Sequence, residues 1–259
     1  MNVLSLFDGI ACGKVALDRA GIKYAKYFAS DIDKYAIQVA IKNHPDIIHL
    51  GDVKQVKGED LPKIDLFIGG SPCQGFSFAG KRLNFEDPRS KLFFEYVRLL
   101  KECKPKYFLL ENVKMKKEYQ EVITNLLGVQ PVEINSSLLT AQSRKRLYWT
   151  NIPLQSIVDK GELFEDIVDY EKPVREKSQT IPATIYKENA KSMIKRKKWG
   201  LLVNDNNVLR KVSPLECERL QGVDDNYTDC VSNTQRYRMI GNGWTVPVIE
   251  HIFGGLKTI

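Results

Sequence analysis

The chain is expected to fold as an α/β protein on a doubly wound, mostly parallel sheet. Three observations carry that expectation. Apolar runs of strand length alternate with segments of helical periodicity from residue 2 to about residue 150. The first three runs each end at a turn bearing glycine or an acid: Phe7-Asp8-Gly9, Ser30-Asp31 and Gly51-Asp52. In doubly wound sheets such turns converge on one crevice at the carboxyl ends of the strands. The fourth run, Ile64-Asp65-Leu66-Phe67-Ile68, leads into Gly69-Gly70-Ser71-Pro72-Cys73-Gln74-Gly75-Phe76-Ser77. Two glycines let the backbone turn, and proline sets φ just before a cysteine. A cysteine inside the apolar run would read as a small core hydrophobe. On a stiffened loop at a strand end it reads as a nucleophile.

The elements follow in order. Asn2–Leu6 is a short strand, and Ala16, Leu17 and Ala20 mark a helix that stops at Gly21. The turn between them is not G-x-G-x-x-G, and Asp8 would repel phosphate. An aromatic and an acid there suit a nucleoside with a positive or zwitterionic tail. Strand 26–29 ends at Asp31, placed to bind a ribose or to cap helix 34–43. Asp52 closes the third strand. After the cysteine loop, Ser90 is the expected N-cap of a helix running to Lys104-Pro105. Strand 107–110 delivers Glu111, an acid that is costly at a buried strand end unless paired or protonated, or else a capping carboxylate. A helix ends at Gly128, and 130–137 reads as a strand. A further strand follows Gln142-Ser143-Arg144-Lys145-Arg146, putting Arg144 and Arg146 on one face. Two guanidinium groups aimed one way suit phosphate and carbonyl oxygens, and a solvated edge strand is the plain alternative. Residues 151–210 form a looser insert on a main domain of 1–150 and 211–259. Ser213-Pro214-Leu215-Glu216 is a capping-box start, 234–240 is helical, and a last helix follows Gly241-Asn242-Gly243-Trp244.

Composition narrows the class. With 259 residues and 43% hydrophobic content the chain fills one large domain, with room for a small appendage. No run approaches the ~20 apolar residues that cross a bilayer, and the start has no basic leader, so no membrane association is expected. Five cysteines (12, 73, 103, 217, 230) without a C-x-x-C pair argue against a disulfide framework or a metal site, and for a reducing cytosol. The net charge is +7. Lys191, Lys195, Arg196, Lys197 and Lys198 crowd before Trp199, which reads as a phosphate-binding patch or a solvated basic face.

Taken together, these residues resemble the DNA cytosine-5 methyltransferases. Phe7-Asp8-Gly9-Ile10-Ala11-Cys12-Gly13, Asp31, Gly51-Asp52-Val53, Pro72-Cys73-Gln74 and Asp87-Pro88-Arg89-Ser90-Lys91-Leu92-Phe93-Phe94 match its motifs. So do Glu111-Asn112-Val113, Gln142-Ser143-Arg144-Lys145-Arg146, Arg219-Leu220-Gln221-Gly222 and Gly241-Asn242-Gly243, in the family's order. Trp244-Thr245-Val246-Pro247 and the short insert are similar to the mammalian de novo enzymes, whereas the compact length resembles bacterial or phage members. Asp31 stands where the family more often has glutamate, and Gly243 where serine is usual.

The resemblance implies a substrate, a cofactor and roles. The substrate is double-stranded DNA, and the methyl donor is S-adenosylmethionine. Cys73 would add to C6 of a flipped-out cytosine and so activate C5. Glu111 would share a proton with N3, Arg146 would hold O2, and Arg144 would steer the thiol or a phosphate. Phe7 and Ile32 would sandwich adenine, Asp31 would bind ribose, and Asp52 the adenine amino group. Asp8, Gly9, Ala11, Val53, Pro72, Leu92, Asn242 and Trp244 would complete the cofactor site. Gln74, Ser77, Lys81, Arg82, Lys195, Arg196, Lys197 and Lys198 would contact DNA, with Thr184 or Thr180 near the flipped nucleotide. The loop 76–89 would close over the base. The resemblance implies either a cognate restriction endonuclease as partner or a solitary or phage enzyme, and the residues do not choose between them. An RNA methyltransferase of the transfer-RNA type is the nearest rival, but that branch usually carries a Cys-Phe-Thr tripeptide absent here. An inactive DNA-binding homologue and a dinucleotide oxidoreductase are the others.

Overall fold

The computed structural model describes residues 1–71, 88–169 and 172–258. Its framework is a seven-stranded sheet in the order β3-β2-β1-β4-β5-β8-β6. The strands are β1 (Asn2–Leu6), β2 (Lys26–Ser30), β3 (Ile48–His49), β4 (Leu66–Gly69), β5 (Tyr107–Val113), β6 (Val132–Asn135) and β8 (Lys145–Thr150), while the two-residue β7 (Gln142–Ser143) lies outside it. β1 to β5 are parallel, and β8 runs antiparallel to both β5 and β6. The strand order reverses between β1 and β4, the position where doubly wound sheets open a crevice.

Alternation along the strands builds two core layers. Val3, Ala29, Leu66, Ile68 and Leu109 face one side. There they meet α1 (Cys12–Arg19), α2 (Lys34–Asn43) and α8 (Val246–Gly254). Leu4, Leu6, Phe28, Phe67, Phe108 and Leu110 face the other, against α3 (Pro88–Cys103) and α4 (Lys117–Leu127). Both faces are covered, which is why these strands read as near-continuous apolar runs.

Residues 151–210, expected to form an insert, share a third apolar cluster with the elements that follow them. The segment contains β9 (Lys172–Pro173), β10 (Ser178–Gln179), α5 (Ala190–Lys195) and the hairpin of β11 (Leu202–Asp205) and β12 (Val208–Lys211). Phe164, Ile181, Ile185, Met193, Leu202 and Val203 pack there with Cys217 and Leu220 of α6 (Pro214–Gln221) and Tyr237 and Ile240 of α7 (Asn233–Asn242). The insert loop 182–183 lies directly on α7. A Cβ at Gly241 would fall 2.5 Å from Ala183 N and 2.7 Å from Pro182 C.

Four local expectations change. Helix α3 starts at Pro88, so Ser90 lies within it rather than capping it. Asp33, not Asp31, caps α2, its side chain accepting from Tyr35 N at 3.0 Å. The strand expected at 130–137 is only Val132–Asn135, because the Asn135 carboxamide accepts from Ser137 N and turns the chain into a 3₁₀ turn. Arg144 falls between β7 and β8, and β8 is an interior strand rather than an edge. Among the described residues no helix is long and apolar enough to cross a membrane.

Gly241→Ala should lower the melting temperature, because the opposing atoms are backbone and cannot step aside cheaply. Overpacking of this kind costs about 1–3 kcal/mol, or roughly 3–10 °C in a chain of this size. A thermal melt followed by circular dichroism checks it.

Candidate active site

The carboxyl ends of β1, β2, β4 and β5 stand in register: Leu6 is beside Ser30 and Gly69, and Gly69 beside Leu110. The next residues along each strand therefore meet around one cavity of about 700 Å³, within the range of small-molecule sites.

After β1 the chain makes a strained turn. Phe7, Gly9 and Ala11 all have positive φ, at 58°, 59° and 62°. Phe7 and Ala11 are not glycine, so the surroundings must hold them there. They do so through Asp8 N, which donates to Ser30 O at 3.2 Å, and Gly9 N, which donates to Asp31 Oδ2 at 2.8 Å. Asp31 Oδ1 accepts from Asp33 N at 2.8 Å. Each Asp31 oxygen keeps a further lone pair for a ligand hydroxyl.

Asp8 lines the cavity and takes the Tyr27 hydroxyl on Oδ1 at 2.7 Å. Its Oδ2 is buried with no partner among the described residues. Burial, with repulsion from Asp31 adding to it, pushes the carboxyl up to about 6.

The end of β4 is sterically specified. A Cβ on Gly70 would stand 2.7 Å from Trp244 Nε1 and 3.2 Å from Glu111 Oε2, so glycine lets all three groups converge. Ser71 O and Oγ accept from the buried Asn112 Nδ2 at 3.4 and 3.3 Å, which fastens the start of the cysteine loop to β5. Glu111 and Arg146 both line the cavity and pair at 2.9 Å.

Arg144 departs from expectation. It does not share a strand face with Arg146 and is not a solvated edge residue, being only 4% exposed. Its guanidinium donates to Ile181 O, Gly241 O and Gly243 O at 3.3, 3.2 and 3.1 Å. Burial, with Arg146 second, draws it down to about 10. The group braces the insert against the end of α7 while forming part of the cavity wall.

The cavity brings together Phe7, Asp8, Gly9, Asp31, Leu92, Glu111, Arg144, Arg146, Asn242 and Trp244. Four expected cofactor residues are not in its wall. Ala11 is fully buried at the start of α1, and Val53 packs in the core with α3 and α4. Ile32 is 76% exposed, and Asp52 accepts from Lys54 N at 3.0 Å. Pro72, Cys73, Gln74, Ser77, Lys81 and Arg82 lie outside the described residues, as does most of the loop 76–89.

In the insert, Thr180 rather than Thr184 lines the cavity, its hydroxyl donating to Ser143 O at 2.9 Å, and Thr184 is exposed. The basic cluster is partly neutralised. Lys198 and Arg196 share Glu188 Oε1 at 2.5 and 3.3 Å, while Lys191, Lys195 and Lys197 are exposed and have no ion pair among the described residues. Ser71, Asn112 and Tyr27 have places at this site that the sequence reading does not assign them. Asn112 sits inside a matched motif, but nothing local marks Tyr27.

A family model described as C-5 cytosine-specific DNA methylase matches residues 1–148 and 114–258. The chain belongs to that family. Its activity class is accordingly DNA cytosine-5 methyl transfer. This methylase is similar to the type II methyltransferase M1.ScrFI of Lactococcus lactis subsp. cremoris, at 31% identity over 97% of this chain and 76% of that protein. It is also similar to M.NlaX of Neisseria lactamica, at 29% identity over 99% of this chain and 96% of that one. The methyltransferase EhMeth of Entamoeba histolytica has the same fold, with a TM-score of 0.80 at 18% identity over 100% of this chain and 98% of that one.

Asp8 gives the methylase a pH signature. A carboxyl raised from 3.8 to about 6 favours its neutral form in the folded state. Its relative stabilisation is present below pH 4 and lost as pH rises to 6, a penalty of roughly 3 kcal/mol at pH 7. Ligand-free Asp8→Asn should therefore be more stable than wild type by about 1–3 kcal/mol at pH 7–8, with the gain gone at pH 4. Chemical denaturation across that range measures it.

Proposed function

We propose that this methylase transfers a methyl group from S-adenosylmethionine to C5 of a flipped-out cytosine in duplex DNA, through a covalent bond between Cys73 and C6. One observation carries the reading. Phe7, Asp8 and Asp31 line one cavity with Glu111 and Arg146, and Ser71, two residues before Cys73, also lines it, following β4, which stands between β1 and β5 in the sheet.

The residues fit the cofactor. Asp8 Oδ2, buried and unpartnered among the described residues, suits the ammonium of the methionine end. Phe7 offers a face for adenine, and Asp31 offers free lone pairs to ribose hydroxyls. Asn242 and Trp244 would close the methionine end. Ile32 and Asp52, outside the wall, would reach only the adenine edge. S-adenosylmethionine supplies, when bound, an electrophilic methyl group on a sulfonium.

Cytosine C5 is a poor nucleophile until C6 carries a substituent. The Cys73 thiolate would form the bond to C6, moving an electron pair towards C5. Glu111 would share a proton with N3 and hold the charge that develops in the ring. Arg146, paired with Glu111, would orient that carboxylate and donate to O2. C5 then takes the methyl group and gives its proton to a water molecule, and the pair left behind expels Cys73 as the thiolate. Arg144 is assigned to bracing rather than to steering the thiol.

The base must leave the stack for this chemistry, at a cost of a few kcal/mol. We assign residues 151–210 as the target-recognition insert, with Thr180 nearest the flipped nucleotide. Lys195 and Lys197 would face phosphates, with Lys191 beside them and Arg196 and Lys198 held back by Glu188. Gln74, Ser77, Lys81, Arg82 and Thr184 remain DNA contacts by resemblance. The type II names of the relatives make a cognate endonuclease a candidate partner.

Cys73→Ser should abolish transfer of labelled methyl groups and leave cofactor affinity within about twofold. Duplex DNA containing 5-fluorocytosine should trap wild type through Cys73 alone, and peptide mapping that places the adduct elsewhere overturns the mechanism. Glu111→Gln should lower kcat about 10²–10⁴-fold. Replacing Lys191, Lys195 and Lys197 together should flatten log Kd against log salt by up to about 2.7, at ~0.9 per phosphate contact. An unchanged slope would show that these lysines are merely solvated.

A further inference from the structure

Tyr27 stands behind the cavity wall, only 1% exposed, in β2 between Lys26 and Phe28. Its hydroxyl reaches Asp8 Oδ1 at 2.7 Å. That reach depends on Gly13, because a Cβ there would stand 3.0 Å from the hydroxyl. The ring cannot easily swing away. Tyr24 packs edge-on at 6.1 Å, and Lys14 Nζ lies 6.0 Å from the Tyr27 centroid and 4.7 Å from that of Tyr24. Lys14 is in turn held by Asp46 at 2.9 Å and by the Tyr24 hydroxyl. One Asp8 oxygen is thus committed to a fixed phenol, while the other is buried without a partner among the described residues, on a side chain that lines the cavity.

We propose that Tyr27 is a positioning residue for the cofactor, holding the Asp8 carboxylate through Oδ1 so that Oδ2 receives the ammonium of S-adenosylmethionine. The inference rests on the cofactor assignment above. A desolvated carboxylate with no donor would be driven to its neutral form, which attracts no cation. The charged and titratable groups facing Asp8 are Tyr27 and Asp31 at β2, Cys12 and Lys14 on α1, and Tyr227 on the loop after α6. Asp31 opposes ionisation of Asp8, while the Ser5 hydroxyl, Tyr27 and Lys14 favour it. Of the titratable groups among the described residues, Tyr27 is the one in direct hydrogen bond with the carboxyl.

Calorimetric titration of full-length wild type and Tyr27→Phe with S-adenosylmethionine and with 5′-methylthioadenosine tests this between pH 6 and 7.5. The second ligand keeps the nucleoside and lacks the amino-acid ammonium. Tyr27→Phe should bind S-adenosylmethionine about tenfold or more weakly near pH 6.5, the loss expected for a hydrogen bond to a charged group. The deficit should narrow towards pH 7.5, and 5′-methylthioadenosine should bind both proteins within twofold. Equal affinity for S-adenosylmethionine overturns the role of Tyr27. Parallel weakening of both ligands also overturns it, by revealing a general loss of packing. Wild type that binds neither ligand overturns the cofactor assignment itself, and this inference with it.

Discussion

Leu6, Ser30, Gly69 and Leu110 lie side by side across parallel strands, and everything chemical in this methylase depends on that alignment. Parallel pairing with a common register delivers Phe7, Asp31, Gly70 and Glu111 to one level. The reversal of strand order between β1 and β4 keeps helices from covering that level. A slip of one residue in β4 would exchange its two faces and take Gly70 away from Glu111 and Trp244. Core packing on both faces of the sheet forbids the slip, so stability and site geometry have the same origin.

A second constraint joins the insert to the sheet. Gln142 donates to Leu220 O and Gln221 Oε1 and accepts from Ile181 N. Gln221 donates to Ile240 O and Gly243 O, and the Thr245 hydroxyl donates to Gln221 Oε1. With Arg144 this forms a buried polar lattice in which each of these groups has a partner. Such lattices specify one arrangement, because a half-broken one leaves desolvated donors and acceptors. The lattice holds loop 180–183 against the end of α7, so the part of the cavity wall from residues 180–183 and the part from the end of α7 share one set of bonds.

The two halves of the cavity are electrostatically distinct. Asp8 and Asp31 make one end anionic, whereas Glu111 is paired with Arg146 at the other. In the proposed reaction a cationic methyl donor and a neutral pyrimidine would each find the matching end. Gly70 between them keeps the ends within reach, since any side chain there would meet Trp244 and Glu111.

Much of this was legible along the chain. Short-range signals are properties of neighbouring residues, so strand and helix identities, the α2 boundaries Lys34–Asn43 and the Ser213 capping box could be read directly. So could the convergence of the first two turns, at Asp8 and Asp31, because parallel order forces strand ends together, whereas the third turn, at Asp52, stays out of the cavity wall. What tertiary structure alone decided were contacts between residues far apart in sequence. Arg144 reads as a cation aimed outwards until Ile181, Gly241 and Gly243 supply three carbonyls from other elements. Lys198 reads as a phosphate ligand until Glu188 rises beneath it. Tyr27 reads as core until Gly13 proves to leave its hydroxyl a path to Asp8. Local pattern determines where the backbone goes, whereas the partner of a buried charge depends on which distant chain arrives beside it.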